Sequence, residues 1–169
     1  MAADEDWLLA TVRRFQGPLL TYVGRLTGRP ETARDVVQET FLKLCRQDRT
    51  TIEPRLAAWL FSVCRNHVRD LQRKEQRMVA AQPDLARSPA AKSEPADELA
   101  GRDLQDRCQE LLSELPEREQ EVVRLKFLHE LSYKETAEAT GLTAGNVGYI
   151  LHHALLKLRR GLETPASTD

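Results

Sequence analysis

A chain of 169 residues, 41 % hydrophobic and 5 % aromatic, holds enough apolar material for one medium domain or two small ones. Among the apolar residues leucine and alanine dominate, and glycine is sparse, which favours an all-helical protein. A formal net charge of −1 excludes a uniformly basic nucleic-acid binder, so any DNA contact must come from local patches or depend on a partner.

No apolar run approaches the length of a membrane span, and the opening MAADEDW is acidic rather than signal-like, so the chain is expected to be cytoplasmic and not membrane-inserted. Cys45, Cys64 and Cys108 lack a CxxC spacing and predict neither a disulfide framework nor a zinc ribbon. Cys64 and His67 lie close in sequence but nothing nearby completes a ligand set. The cysteines are therefore read as small core residues, with no metal and no cofactor expected.

The first helical pattern, Glu5–Leu26, places Trp7, Leu8, Val12, Phe15, Leu19, Tyr22, Val23 and Leu26 at steps of three or four. Gly17-Pro18 interrupts it, predicting a kink or a division into two helices. After a turn at Thr27–Pro30 the second helix, Glu31–Arg46, buries Val36, Val37, Phe41 and Leu44. Its other side carries Asp35, Gln38 and Glu39 as a polar ridge. Such a ridge is on physical grounds most often a solvated face. Gln47–Pro54 is polar and reads as a loop.

Arg55–Met78 forms the next helix, with Leu56, Leu60, Val63 and Val68 as apolar anchors beside Trp59 and Phe61. From Arg65 onward its composition turns basic. Arg65, Arg69, Arg73, Lys74 and Arg77 outweigh Asp70 and Glu75, a local excess able to hold a phosphate backbone. The competing reading is a solvated amphipathic helix end. Residues 79–97 are rich in Ala, Pro and Ser without a sustained period, as in a flexible linker. The chain thus divides into an N-terminal domain, 1–78, a linker, 79–97, and a C-terminal domain, 98–163.

A helix is expected to resume at Glu98, with Leu104, Cys108, Leu111, Leu112 and Leu115 along one side. Leu115-Pro116 opens the next helix, Glu117–Leu128, where Pro suits the first turn. Ser132 and Glu135 then form a capping box, Gly141 suits a left-handed C-cap, and Thr143 a further N-cap. Two helices joined by a short Gly-containing turn match the helix-turn-helix pattern, whose second helix enters the major groove of DNA. A plain helical hairpin has the same spacing. In the last helix Val147, Leu151, Ala154 and Leu158 point inward, leaving Gly145, Asn146, Tyr149, His152 and His153 outward. Residues 164–169 read as a frayed tail.

The block LPEREQEVVRLKFLHELSYKETAEATGLTAGNVGYILHHALLKLRR resembles the C-terminal DNA-binding domain of bacterial sigma factors of the extracytoplasmic-function group. ARDVVQETFLKL and AAWLFSVCRNHVRDLQRKEQR are similar to that family's polymerase-binding and promoter-melting segments, and the three blocks occur in the family's order. The resemblance implies two helical bundles on a linker, with core RNA polymerase, promoter DNA and an anti-sigma factor as partners, and no catalysis. It implies polymerase contacts at Asp35, Gln38 and Glu39. At the −10 element it implies Asn66 holding an extruded base, Trp59 or Phe61 stacking where not committed to the core, and Arg65, Arg69 and Arg73 clamping the backbone. At the −35 element it implies contacts from Asn146, Tyr149, His152 and His153, with Lys157, Arg159 and Arg160 near the phosphates.

The last helix departs from the family in charge, since relatives commonly carry basic residues near the positions of Gly148, Ile150 and His153. That face could instead serve an inhibitor protein. Two further readings are a helix-turn-helix regulator that binds DNA without polymerase, which leaves the N-terminal blocks unexplained, and a helical protein-interaction scaffold. No phosphate loop or nucleophile constellation supports an enzyme.

Overall fold

The structure, a computed structural model, describes residues 2–81 and 102–163, and all regular structure among them is helical. The chain divides into two compact units, Met1–Glu94 and Pro95–Asp169.

In the N-terminal unit, α1 (Ala2–Thr27) packs on α2 (Pro30–Leu44) and α4 (Leu56–Ala81). Thr11, Phe15, Leu19, Tyr22 and Val23 follow one another at helical spacing and are all buried. They meet Val36, Val37 and Leu44 of α2 and Leu60, Phe61, Cys64 and Val68 of α4 in one core. Each large aliphatic or aromatic side chain removed from water there contributes about 1.5–3 kcal/mol. The Tyr22 and Phe61 rings meet edge to face, with centroids 5.1 Å apart. Phe61 therefore belongs to the core and is not presented as a base-stacking surface.

Three boundaries differ from expectation. Pro18 lies inside a continuous α1 and does not split it. The ring removes one N–H donor, but Phe15, Leu19 and Tyr22 on either side are held in the core. The expected loop at 47–54 contains a helical turn, α3 (Arg49–Ile52), followed by a 3-10 turn at Glu53–Arg55. Asp48 caps α3 by accepting from the Thr50 N–H at 2.8 Å and hydroxyl at 2.6 Å, and Ile52 anchors the turn in the core. The Asp48 carboxyl is held below its usual range by those Thr50 hydrogen bonds. Of the expected linker, Val79–Ala81 continue α4, while 82–97 lie outside the described residues, as do 98–101 and the tail 164–169.

The C-terminal unit contains α5 (Arg102–Glu114), α6 (Glu117–Phe127), α7 (Tyr133–Thr140) and α8 (Ala144–Glu163). Leu115, Val122, Val123, Ala137, Val147, Leu151 and Ala154 form its core, with Leu112, Leu142, Ile150 and Leu158 packed against them. The turn between α5 and α6 is fastened by buried Gln120, whose amide donates to the carbonyls of Ser113 at 3.1 Å and Leu115 at 2.7 Å. These are carbonyls a helix end would otherwise leave without partners. The α5 stripe is buried only at its C-terminal end: Leu111 and Leu115 are covered, whereas Leu104 is 66 % exposed and Cys108 is exposed. The reading of all three cysteines as core residues holds for Cys64 alone, since Cys45 is also exposed.

Candidate nucleic-acid and polymerase interface

The helix-turn-helix is built as its local sequence dictates. The Ser132 hydroxyl accepts from the Glu135 N–H at 3.1 Å, and the Glu135 carboxylate accepts from the Ser132 N–H at 2.8 Å. Gly141 ends α7 at φ 71°, a left-handed geometry that glycine adopts without steric penalty. Two residues later the Thr143 hydroxyl accepts from the Asn146 N–H at 3.1 Å and starts α8. Val147, Leu151 and Ala154 are fully inward, and Leu158 is half-buried.

On the outward side of α8, Asn146, Tyr149 and His152 are exposed and His153 is half-buried. Tyr149 and His153, one turn apart, hold their rings 4.2 Å between centroids, and His152 meets His153 edge to face at 5.5 Å. The face is thus a carboxamide followed by three flat polar rings. Such groups read base edges by hydrogen bonding and apolar contact, without the bulk phosphate attraction of lysine and arginine. Packing within the protein does not require glycine at 148: a Cβ there would meet the Tyr133 ring of α7 at 3.7 Å, an ordinary van der Waals contact.

Lys157, expected near DNA phosphates, has another partner. Its ammonium lies 2.8 and 3.0 Å from the two carboxylate oxygens of Glu119 on α6. Farther along, Arg159 is paired with Glu163 at 2.8 Å.

On α4, Asn66, Arg69 and Arg73 are exposed, and Trp59 is half-buried. Arg73 lies 3.8 Å from Asp70, a loose pair between two well-exposed side chains. Arg65 departs from the expectation of a backbone clamp: it is 8 % exposed, on the line Phe61–Arg65–Val68 that faces the core. That spacing, four then three residues, was the sequence signal for its burial. The basic end of α4 is fixed to the α1–α2 turn by Arg29, which reaches Glu75 at 2.8 Å. Gln72 donates to the Leu26 carbonyl at 3.5 Å beside it. Neither Arg29 nor Gln72 was singled out by spacing, because both act across 46 residues of sequence.

On α2, Asp35 and Gln38 are exposed and Glu39 is half-buried, opposite the covered Val36, Val37 and Thr40. Leu42, seven residues beyond Asp35 and 50 % exposed, extends this ridge with apolar surface that the charge pattern alone did not reveal. Among the described residues, no group of three or more His, Cys, Asp or Glu side chains could hold a metal ion, and no helix is long and apolar enough to cross a membrane.

Comparison with known proteins matches both units. Residues 11–78 match the family model of Sigma-70 region 2, and residues 105–158 that of Sigma-70 region 4. The ECF RNA polymerase sigma factor SigM of Bacillus subtilis is 30 % identical over 135 residues, 75 % of this chain and 77 % of that protein. The ECF RNA polymerase sigma factor SigL of Mycobacterium tuberculosis is 30 % identical, covering 96 % of this chain and 92 % of its own. The RNA polymerase sigma-E factor of Streptomyces coelicolor is 31 % identical, covering 89 % and 83 %. The sigma factor RpoE of Bartonella quintana, solved in complex with the anti-sigma factor NepR, shares the fold with a TM-score of 0.68 at 23 % identity, over 98 % of this chain and 99 % of that one. With an acidic α2 ridge, a basic α4 and a helix-turn-helix carried in this order on one polypeptide, the chain belongs to the family of extracytoplasmic-function RNA polymerase sigma factors.

Proposed function

We propose that this sigma factor directs core RNA polymerase to bipartite promoters and assists strand opening, with no catalysis of its own and with its site of action in the cytoplasm. The α2 ridge of Asp35, Gln38, Glu39 and Leu42 docks on a basic and partly apolar surface of core polymerase, where charge complementarity sets orientation and encounter rate. α8 enters the major groove of the −35 element with Asn146, Tyr149, His152 and His153 toward the base edges. On α4, Asn66 holds a base extruded from the −10 element, half-buried Trp59 offers its exposed part for stacking, and Arg69 and Arg73 hold the adjoining phosphates. Base extrusion costs a few kcal/mol, and each stacked base returns about 1–3 kcal/mol. Domain limits follow the same division, with 1–78 for polymerase and the −10 element, 98–163 for the −35 element, and 79–97 as the tether that sets their reach. An anti-sigma factor, as seen on the Bartonella protein, is the natural inhibitor of such a chain.

The observation that carries this reading is a capped helix-turn-helix with an exposed polar α8 face in the same chain as an exposed Asn66–Arg69–Arg73 surface. A regulator acting through α8 alone leaves the N-terminal surface without a role. The test is binding to purified core polymerase by the wild-type chain and by a variant with Asp35→Lys and Glu39→Lys. Wild-type capture, lost in the variant while its helical content persists, supports the proposal; equal capture of both variants, or of neither, contradicts it.

A further inference from the structure

We propose that Glu119 is a positioning residue that withholds Lys157 from the DNA backbone and so limits the sequence-independent share of α8's affinity. This rests on the placement of α8 in the major groove. Three observations lead to it.

Lys157 lies on the same line of α8 as Tyr149 and His153, at i, i+4 and i+8, so it prolongs the reading face toward the flanking phosphates. Its ammonium is held by both oxygens of one carboxylate, at 2.8 and 3.0 Å. The two partners differ in exposure: the Lys157 side chain is 51 % exposed, while that of Glu119 is only 18 % exposed. The anion is thus the fixed member, sitting in the first turn of α6 where the helix dipole favours negative charge. The lysine is the long, mobile member, and it is drawn down onto α6.

A second ion pair on α8 is of a different kind. Arg159 and Glu163 are four apart on one helix and are 77 % and 62 % exposed, so water and salt screen them heavily. The Glu119 contact crosses between helices and is shielded on its acidic side. It therefore competes with a phosphate for the Lys157 ammonium, which the Arg159 pair does far more weakly. The result is a reading face of amide, phenol and imidazole groups whose continuation along α8, Lys157, is already occupied. Non-promoter duplex, which offers phosphates but not the right base edges, gains little from such a helix.

The test uses holoenzyme reconstituted from core polymerase and full-length chain, bound across a salt series to linear duplex carrying no promoter. Glu119→Gln frees the lysine while keeping a similar shape. Its binding should steepen in salt dependence by about 0.9 in log–log slope, so that each fourfold dilution of salt gains about 3.5-fold more affinity than wild type gains. Lys157→Met alone should leave the wild-type slope unchanged, and Glu119→Gln with Lys157→Met should return to it. A Glu119→Gln slope equal to wild type overturns the proposal. So does a flatter slope for Lys157→Met alone, because it would mean the lysine already reaches phosphate. If Glu119→Gln lowered the thermal stability of the chain, the Lys157→Met slope would still decide. Failure of the underlying placement is read separately, from wild-type holoenzyme alone: indifference to scrambling the −35 element of a promoter that the chain activates would remove α8 from the groove and this inference with it.

Discussion

The hydroxyl of Thr40 on α2 lies 3.2 Å from the sulfur of Cys64 on α4, inside the N-terminal core. The same hydroxyl donates to the Val36 carbonyl at 2.8 Å, so the thiol is left to donate to Thr40. Burial pushes the Cys64 thiol from 9.0 up to about 11, only partly countered by Thr40 and by the charge of Lys43. Thiolate is the reactive form, so Cys64 is expected to resist alkylation at neutral pH in the folded chain. Exposed Cys45 and Cys108 should react, and mass spectrometry before and after denaturation distinguishes the sites.

The same burial predicts an alkaline effect with a definite sign. The folded state favours the neutral thiol, so this contribution is fully present below pH 9 and is lost as pH rises through about 11. Wild type should lose stability over that interval relative to Cys64→Ala, whatever their offset at neutral pH. Parallel stability curves for the two chains from pH 8.5 upward would contradict it.

Gln120 is a small residue count away from two helix ends and satisfies carbonyls of both Ser113 and Leu115. Gln120→Leu keeps the volume and removes both donors, leaving buried acceptors without partners. The expected loss is about 1–3 kcal/mol, read from chemical denaturation followed by helical circular dichroism. A neutral result would mean that the turn repairs itself with water.

Gly161 lies against Leu111, where an added Cβ would collide with a Leu111 methyl and approach its Cγ at 3.2 Å. Arg107 donates to the Gly161 carbonyl at 3.3 Å in the same contact between α5 and α8. Gly161→Ala should be mild, because helix propensity returns about 1 kcal/mol against the displaced leucine. Gly161→Leu should destabilise by about 1–3 kcal/mol through overpacking, measured by thermal melting.

Asn66 and Tyr149 should separate two functions of one protein. Asn66→Ala is expected to leave closed-complex binding intact and to lower strand opening by tenfold or thereabouts, since about 1.4 kcal/mol of lost base contact is a factor of ten. Tyr149→Ala should weaken closed-complex binding to a promoter while sparing opening once bound. Gel mobility and thymine reactivity in the opened region report the two steps independently.

Much of this fold was legible because its signals are local. Ser132, Glu135, Gly141 and Thr143 each act within three or four residues, and all four form the caps that spacing predicts. The inward stripe of α8 was equally clear, because Val147, Leu151 and Ala154 need only helical period to be placed. The site was less legible. Composition marks Arg65 as one arginine among several, but its position between Phe61 and Val68 puts it inside. Glu119 and Lys157 are 38 residues apart, and no periodicity relates them. The turn at α3 was hidden because polar Asp48 and Thr50 serve there as a cap, the role in which such residues favour a helix rather than break it.

If one chain brings core polymerase to a promoter through two DNA-reading surfaces, transcription itself must depend on the chain and on both promoter elements. The most direct measurement is run-off transcription by core polymerase on a template whose start sites were mapped after overproducing this chain. Transcripts are expected only when the chain is present, reduced by scrambling either promoter element and abolished by Asp35→Lys with Glu39→Lys. Transcripts at those starts from core polymerase alone, or undiminished when both elements are scrambled, would contradict it.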